Sequence, residues 1–411
     1  ASAYVDGDLG ERPATATDRL EVLDGDQPEL STIGSLAVSN SVRRWPNSAA
    51  LLSQGNKEYL LIAEQDGPAP KNARALNELK RGRFLSLVEV TNPTAPQLVD
   101  QLPFTGIPAA VAFRPGTGTF ALTFIGNDSL VTGTVVEGQL RILTRSRIEL
   151  PKLGQIPAIP HFTWHPSGQF AAVTLAGNDR VAFLRFDPKS AQPFTVWGNV
   201  MRSPPLPGVG YFTHNGCFFL HTSIGLTGDE EQAAYGEQTS ILSIIRFDST
   251  ETADSPPARR NDGQLTFLSP AVSHTKSGQY AFGRGYVETF AISPDDRLVI
   301  GLNMRASWLP EQAPGQTENS RLEAFTLDAE RGIARWLGGH DFAGILPECI
   351  AFTAPRELAT VSFDHLYNNR GRGSLDRWRL VENVGGSVEI LEGRRRWLGR
   401  GAHFFLVGGQ K

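Results

Sequence analysis

Two glutamates and a histidine stand at matching places in this chain. Glu288, Glu348 and His161 each lie a few residues before a tight turn, at the start of a short apolar run. Ala109 and Gly208 hold the same place in other copies of the pattern. Two carboxylates and an imidazole around one opening can bind a cation, or act as general acid and base. These three are the expected catalytic residues. The plainer alternative is hydrogen bonding between repeats, since buried polar groups need partners.

Asn303, Asn127, Asn178 and Asp364 fall at strand ends on the same side. Asn303 and Asp364 are the candidate metal ligands, in an oxygen-rich shell of the kind that suits a divalent cation such as calcium. No cofactor is otherwise specified. A loop from Asp364 to Gly373 carries His365, Arg370 and Arg372, and its arginines could clamp a carboxylate or phosphate. Arg305 and Trp308 offer a cation and an aromatic ring to cover a ligand. Each group also reads as ordinary solvated loop. His161 and His165 are four apart on a strand and turn, which does not converge them on a metal. His214 reads as a structural turn residue, and Arg394-Arg395-Arg396 as a surface charge run. A Gly-rich phosphate loop, a Gly-x-Ser-x-Gly elbow and a zinc motif are absent from the sequence.

The elements that position these residues are β-hairpins. An apolar strand, a turn of Pro, Asn, Ser, Asp or Gly, and a more apolar strand recur along the chain. Copies run through Leu51–Ala63, Ala112–Thr123, Phe162–Thr174, Tyr211–Leu220, Phe290–Ile300 and Ala351–Val361. Pro presets the first turn position and Asn, Asp or Gly accepts the left-handed one. A third strand follows, as in Val181–Asp187, Ile241–Asp248 and Leu322–Asp328, alternating apolar and polar. A fourth, such as Val388–Leu391, leads to the next copy. Four strands about every fifty residues is propeller spacing. Two outer-strand stretches, Arg19–Asp24 and Thr32–Val38, and one inner-strand stretch, Gly401–Val407, are left over. Together they predict an all-β, seven-bladed β-propeller over residues 1–411, one domain whose terminal blade is closed by N- and C-terminal strands. Closure removes free sheet edges. Six or eight blades are the alternatives. Lys71–Lys80 is the best helical stretch, inside a long loop.

The turns carry a resemblance. Ile159-Pro160-His161-Phe162-Thr163-Trp164-His165-Pro166-Ser167-Gly168, and Ile292-Ser293-Pro294-Asp295-Asp296-Arg297-Leu298 running on to Asn303, resemble blades of the lactonase-type propeller superfamily. That group includes phosphogluconolactonase-like enzymes, surface-layer propellers and the nitrite-reductase propeller. The likeness spans about residues 105 to 380. It implies the fold, and a family of enzymes, binders and scaffolds alike. Asp296 stands where the family usually has Gly. A Cys-x-x-Cys-His haem attachment is not present.

Connections between second and third strands are long at 64–83, 223–238, 303–320 and 364–374, and tight at 126–128 and 177–179. First turns stay short throughout. Insertions on one face mark a binding face, so a top-face funnel is expected to hold the ligand.

The formal charge of −4 gives no basis for a broad nucleic-acid surface, and no apolar run is long enough to span a bilayer. The start Ala1-Ser2-Ala3 reads as a mature form after signal removal, hence periplasmic or secreted, with a cytoplasmic chain as the alternative. Cys217 and Cys349 read as buried free thiols. Two functions follow. One is binding, and hydrolysis or isomerisation, of a small lactone- or sugar-acid-like ligand. The other is a non-catalytic scaffold meeting a protein partner through the long top-face loops.

Overall fold

The computed structural model describes residues 18–27, 29–38, 47–68, 70, 78–126, 129–148, 161–223, 239–247, 279–307, 309, 315–365, 372–383, 386–399 and 401–408. Its strands begin with an N-terminal pair, β1 (Arg19–Leu23) and β2 (Thr32–Ala37). The first four-stranded sheet is β3 (Ala49–Gln54), β4 (Lys57–Ala63), β5 (Phe84–Glu89) and β6 (Gln97–Pro103). The second is β7 (Ile107–Phe113), β8 (Thr119–Ile125), β9 (Ser129–Val136) and β10 (Gln139–Arg147). The third is β11 (His161–Trp164), β12 (Phe170–Leu175), β13 (Arg180–Phe186) and β14 (Phe194–Arg202). The fourth is β15 (Pro207–Phe212), β16 (Phe218–Ser223), β17 (Thr239–Arg246) and β18 (Gln279–Arg284). The fifth is β19 (Val287–Ile292), β20 (Leu298–Asn303), β21 (Ser320–Asp328) and β22 (Ile333–Phe342). The sixth is β23 (Gly344–Ala354), β24 (Glu357–His365), β25 (Arg372–Glu382) and β26 (Val388–Gly399).

Each sheet is an antiparallel meander in chain order. The first strand of each touches the first strand of the next, from β3 through to β23. All six expected hairpins are present as the first two strands of a sheet. The two middle strands are apolar on both faces because each sheet is covered on both sides. The core therefore lies between sheets. One cluster joins Leu61, Leu85 and Leu87 to Phe120, Leu122 and Val131, from sheets one and two. Another joins Phe170, Phe183 and Trp197 to Phe212, Phe219 and Phe247, from sheets three and four. Within it Phe183 meets Phe219 edge-on at 5.6 Å, the arrangement that ring quadrupoles favour.

The tight first turns are linked sheet to sheet. Arg114 Nε donates to Gly168 O at 2.7 Å, and His165 Nε2 meets Gly216 O at 3.0 Å. Asp296 accepts from the backbone N–H groups of His214 and Asn215 at 2.8 and 2.9 Å. Asp296 has φ 55°, the left-handed conformation that Gly supplies at this corner in Gly168 and Gly216. The departure from Gly thus keeps the turn and adds a carboxylate that caps its neighbour.

The N-terminal pair lies between the sixth sheet and the first. Leu23 and Leu30 pack with Cys349, Val361 and Leu375, while Leu20, Leu36 and Val38 pack with Leu60, Ile62 and Val88. Phe404 and Phe405 join the first of these clusters, and Gly408 approaches Leu51. Four expectations need correction. Residues 402–408 follow the expected path but form no ladder, so they are not a strand. Arg394-Arg395-Arg396 lie within β26 and grip other elements. Arg396 donates to Leu30 O and Thr32 Oγ1, and Arg395 to Asp376. Cys217 is exposed, because it closes a tight turn; Cys349 is buried, and both are free thiols. Finally, one long connection, 247–278, joins β17 to β18 and so leaves from the end of the sheet that carries the tight turns. The long connections are not confined to one face.

Candidate active site

Glu288 and Glu348 are both extra residues in their strands. In β19, Val287 pairs with Asn303 and Thr289 with Leu302, so Glu288 has no partner of its own. In β23, Pro347 pairs with Ser362 and Cys349 with Val361, which leaves Glu348 unpaired in the same way. A β-bulge of this kind re-aims a side chain. The second and fourth sheets shift register at the same place, after Pro108 and after Pro207, where Ala109 and Gly208 lie. Four of the five matching positions seen in the sequence thus fall at one repeated bulge; the fifth, His161, pairs regularly with Thr174.

Side chains of the preceding sheet fasten these starts. Gln65 Nε2 donates to Ala109 O at 2.8 Å and Thr174 Oγ1 to Gly208 O at 2.7 Å. Ser240 Oγ accepts from Val287 N at 2.9 Å, and Ser320 Oγ donates to Gly344 O at 2.7 Å.

The structure brings the two glutamates together. Glu288 keeps 8% of its surface exposed and Glu348 none. Burial pushes the Glu288 carboxyl up to about 7. Burial, then the neighbouring Glu288, push Glu348 well above the carboxylate range. Neither Glu348 oxygen has a conventional hydrogen-bond donor among the described residues. Two carboxyls buried together resist ionising together. Tyr286 lies beside both; its phenol is held above its usual range by burial and by the two carboxylates. On the other side of Glu348, His403 Nε2 lies 3.5 Å from Oε2, and His403 is buried.

His161 stands apart from this pair. Asn47 Nδ2 can only donate, so it gives a proton to His161 Nδ1 at 2.5 Å. Nε2 then carries the ring hydrogen, facing Gly210 O and Thr163 Oγ1, each at 2.6 Å. Burial pushes the ring down to about 4, so it is neutral with both nitrogens engaged. Tyr211 bridges the gap. Its ring is edge-on to His161 at 5.5 Å and to Phe290 at 5.2 Å, and its hydroxyl donates to Asn47 Oδ1 at 3.4 Å. Asn47 holds this position at φ 109°, which few non-glycine residues adopt.

The other candidates lie elsewhere. Asn303 donates to Glu323 Oε1 at 2.7 Å and Gly283 O at 3.1 Å, and accepts from Arg305 N at 2.7 Å. That tie joins the fourth and fifth sheets. Arg305 binds Asn319 at 2.6 Å and shares Asp341 with Arg321. Asp364 is buried opposite Ile345 in β24, His365 pairs with Gly344 and Arg372 opens β25 as an exposed residue. Asn178 ends a short 3-10 turn. Asn127, Trp308 and Arg370 lie outside the described residues. Among the described residues no three His, Cys, Asp or Glu side chains converge to hold a metal. His403 and Asn47 were missed, although His403 immediately precedes the apolar stretch Phe404–Val407.

The fold is similar to that of solved propeller proteins, several of them named as lactonases. A periplasmic gluconolactonase from Pseudomonas aeruginosa superposes with TM-score 0.57 at 15% identity, over 92% of this chain and 94% of that one. A putative 6-phosphogluconolactonase from Bacteroides fragilis gives 0.56 at 11%, over 93% and 95%. A putative 6-phosphogluconolactonase from Bacteroides uniformis gives 0.54 at 12%, over 92% and 98%. No protein-family model and no curated protein sequence matches the chain. At these identities the likeness establishes the fold alone.

Proposed function

We propose that this protein binds a small sugar-derived lactone in the funnel of a closed seven-bladed ring and hydrolyses it. The observation that carries this is the pair of neighbouring glutamates, each bulged out of its ladder and buried. Glu288, the member with residual exposure, is the residue that meets the ligand. Its carboxylate takes a proton from water as the water oxygen bonds to the lactone carbonyl carbon. The carbonyl carbon–ring oxygen bond then breaks, and the proton passes to the ring oxygen. Lactone and water become one hydroxy acid, and Glu288 returns to its starting state. Glu348 is the proton store behind it. Asn47, His161 and Tyr211 form a neutral wall of fixed donors and acceptors.

The composite seventh blade is part of the same reading, built from β1, β2 and the segment 402–408 between the sixth sheet and the first. One domain then spans the chain. Export to the periplasm fits the periplasmic gluconolactonase among the structural neighbours. The test is pH-stat hydrolysis of glucono-δ-lactone by the purified protein. Glu288→Gln should lose roughly a hundredfold or more in turnover while still unfolding in one cooperative transition. A Glu288→Gln protein as active as the parent, or a parent with no turnover of sugar lactones, would sink the reading. In the second case, co-purification of a protein bound through the long loops would support the scaffold alternative.

A further inference from the structure

His403 belongs to a part of the chain that the repeat pattern does not supply. It sits on the segment 402–408, whose Phe405 carbonyl accepts from Cys349 Sγ at 3.7 Å and whose Phe404 and Phe405 pack into the cluster of Val361 and Leu375. That anchoring sets the ring against Glu348, with Nε2 3.5 Å from Oε2 and both groups buried. Glu348 therefore has both an imidazole and the Glu288 carboxyl as neighbours. A buried carboxyl so placed has two partners with which to exchange a proton.

We propose that His403 is a positioning residue of the site, exchanging a proton with Glu348 and thereby setting the charge of Glu288. The inference rests on the reading of Glu288 as the ligand-facing acid and base. The transfer is balanced within the protein. The proton on Nε2 of the imidazolium passes to Oε2 of the Glu348 carboxylate, leaving a neutral ring and a carboxylic acid. Among the described residues, the other titratable groups beside the pair are Tyr286 just before β19 and Cys349 in β23. Burial holds the Tyr286 phenol above its usual range and pushes the thiol up to about 12. Neither competes for this proton near neutrality. The segment 402–408 is then part of the active site as well as part of the wall.

The test needs no substrate. Infrared spectra of the whole protein report the carbonyl stretch of protonated buried carboxyls across a pH series, and 15N spectra of labelled histidine report the His403 ring. His403→Gln should move the midpoint of the carboxyl band by about one pH unit or more, the size expected of a charge at this range. Glu348→Gln should move the titration of the His403 ring comparably. An unmoved carboxyl band in His403→Gln, or an unmoved ring in Glu348→Gln, overturns the proposal. Should one variant fail to fold, the other decides. A parent protein with no protonated buried carboxyl near pH 7 overturns it without any variant. Absence of lactone turnover alongside both shifts would remove the lactone reading and leave this one standing.

Discussion

At the residue scale, the pair of glutamates and His161 make opposite demands on pH. Below about pH 4.5 Glu288 is protonated in folded and unfolded chains alike, and its folded value is raised to about 7. The unfolded chain ionises first as pH rises, so stability falls from about pH 4.5 to about 7. Denaturant titrations across this range should show Glu288→Gln with a flatter profile and greater stability than the parent at pH 8. His161 works the other way. Its folded value is lowered from 6.5 to about 4, so its contribution is present above 6.5 and lost as pH falls through that interval. Asn47 holds the acceptor nitrogen of that ring. Asn47→Ala should cost about 1–3 kcal/mol by leaving the nitrogen unsatisfied, and Asn47→Gly should cost less because glycine tolerates the positive φ. Urea melts of the two variants decide the order. The sequence showed Glu288, Glu348 and His161 as a set because each lies a few residues before a turn. It could not show that the two glutamates are bulged out of their ladders while His161 pairs with Thr174.

At the element scale, the hairpins were legible because Pro, Asn, Asp and Gly state the turn chemistry locally. What they did not state is which turn reaches which. Burial would raise the Asp296 carboxyl, but the His214 ring and the N–H groups of His214 and Asn215 outweigh it and hold it below its ordinary value. The His214 ring is raised in return by its hydrogen bond to Asp296. The Asp296 contribution is present above the unfolded carboxyl value and lost on acidification; that of His214 is lost as pH rises past its raised value. Asp296→Gly should retain the corner yet lose about 1–3 kcal/mol near neutral pH, with the difference from the parent shrinking in acid. A thermal melt series over pH would show it; a constant difference at every pH would contradict the capping role. The ties that Asn303 makes were hidden for a related reason. A polar residue at a strand end looks the same in sequence whether it faces a funnel or fastens the adjacent sheet, and Asn303 is consumed by Glu323 and the backbone of residues 283 and 284.

At the scale of the whole molecule, the N-terminal pair and the segment 402–408 lie between the sixth and first sheets, and arginines hold the N-terminal pair. Arg396 grips the Leu30 carbonyl and Thr32 hydroxyl, and Arg377 reaches Gly25 O. Arg396→Ala should speed proteolysis between residues 24 and 31 several-fold while leaving cleavage elsewhere unchanged, as read by mass spectrometry of limited digests. High salt should act in the same direction but more weakly, because direct hydrogen bonds resist screening better than exposed charge. Six repeats were visible from residue types alone. The N-terminal pair and the segment 402–408 were readable only as leftover strands, and the arginine run passed for surface charge because the partners of Arg396 lie more than 350 residues away. Phe183, fully buried where sheets three and four meet, tests the interleaved core: Phe183→Ala should cost about 3–5 kcal/mol in a denaturant melt.

The recurring unpaired residue at the start of the inner strands has a consequence for how such a molecule acquires chemistry. Because that residue takes part in no ladder, its identity can change while the hairpin beneath it stays intact. Ala109 and Gly208 are then vacant sockets of the same kind that hold Glu288 and Glu348. New acids, bases or ligand contacts can be tried one repeat at a time, with the rest of the scaffold indifferent to the outcome.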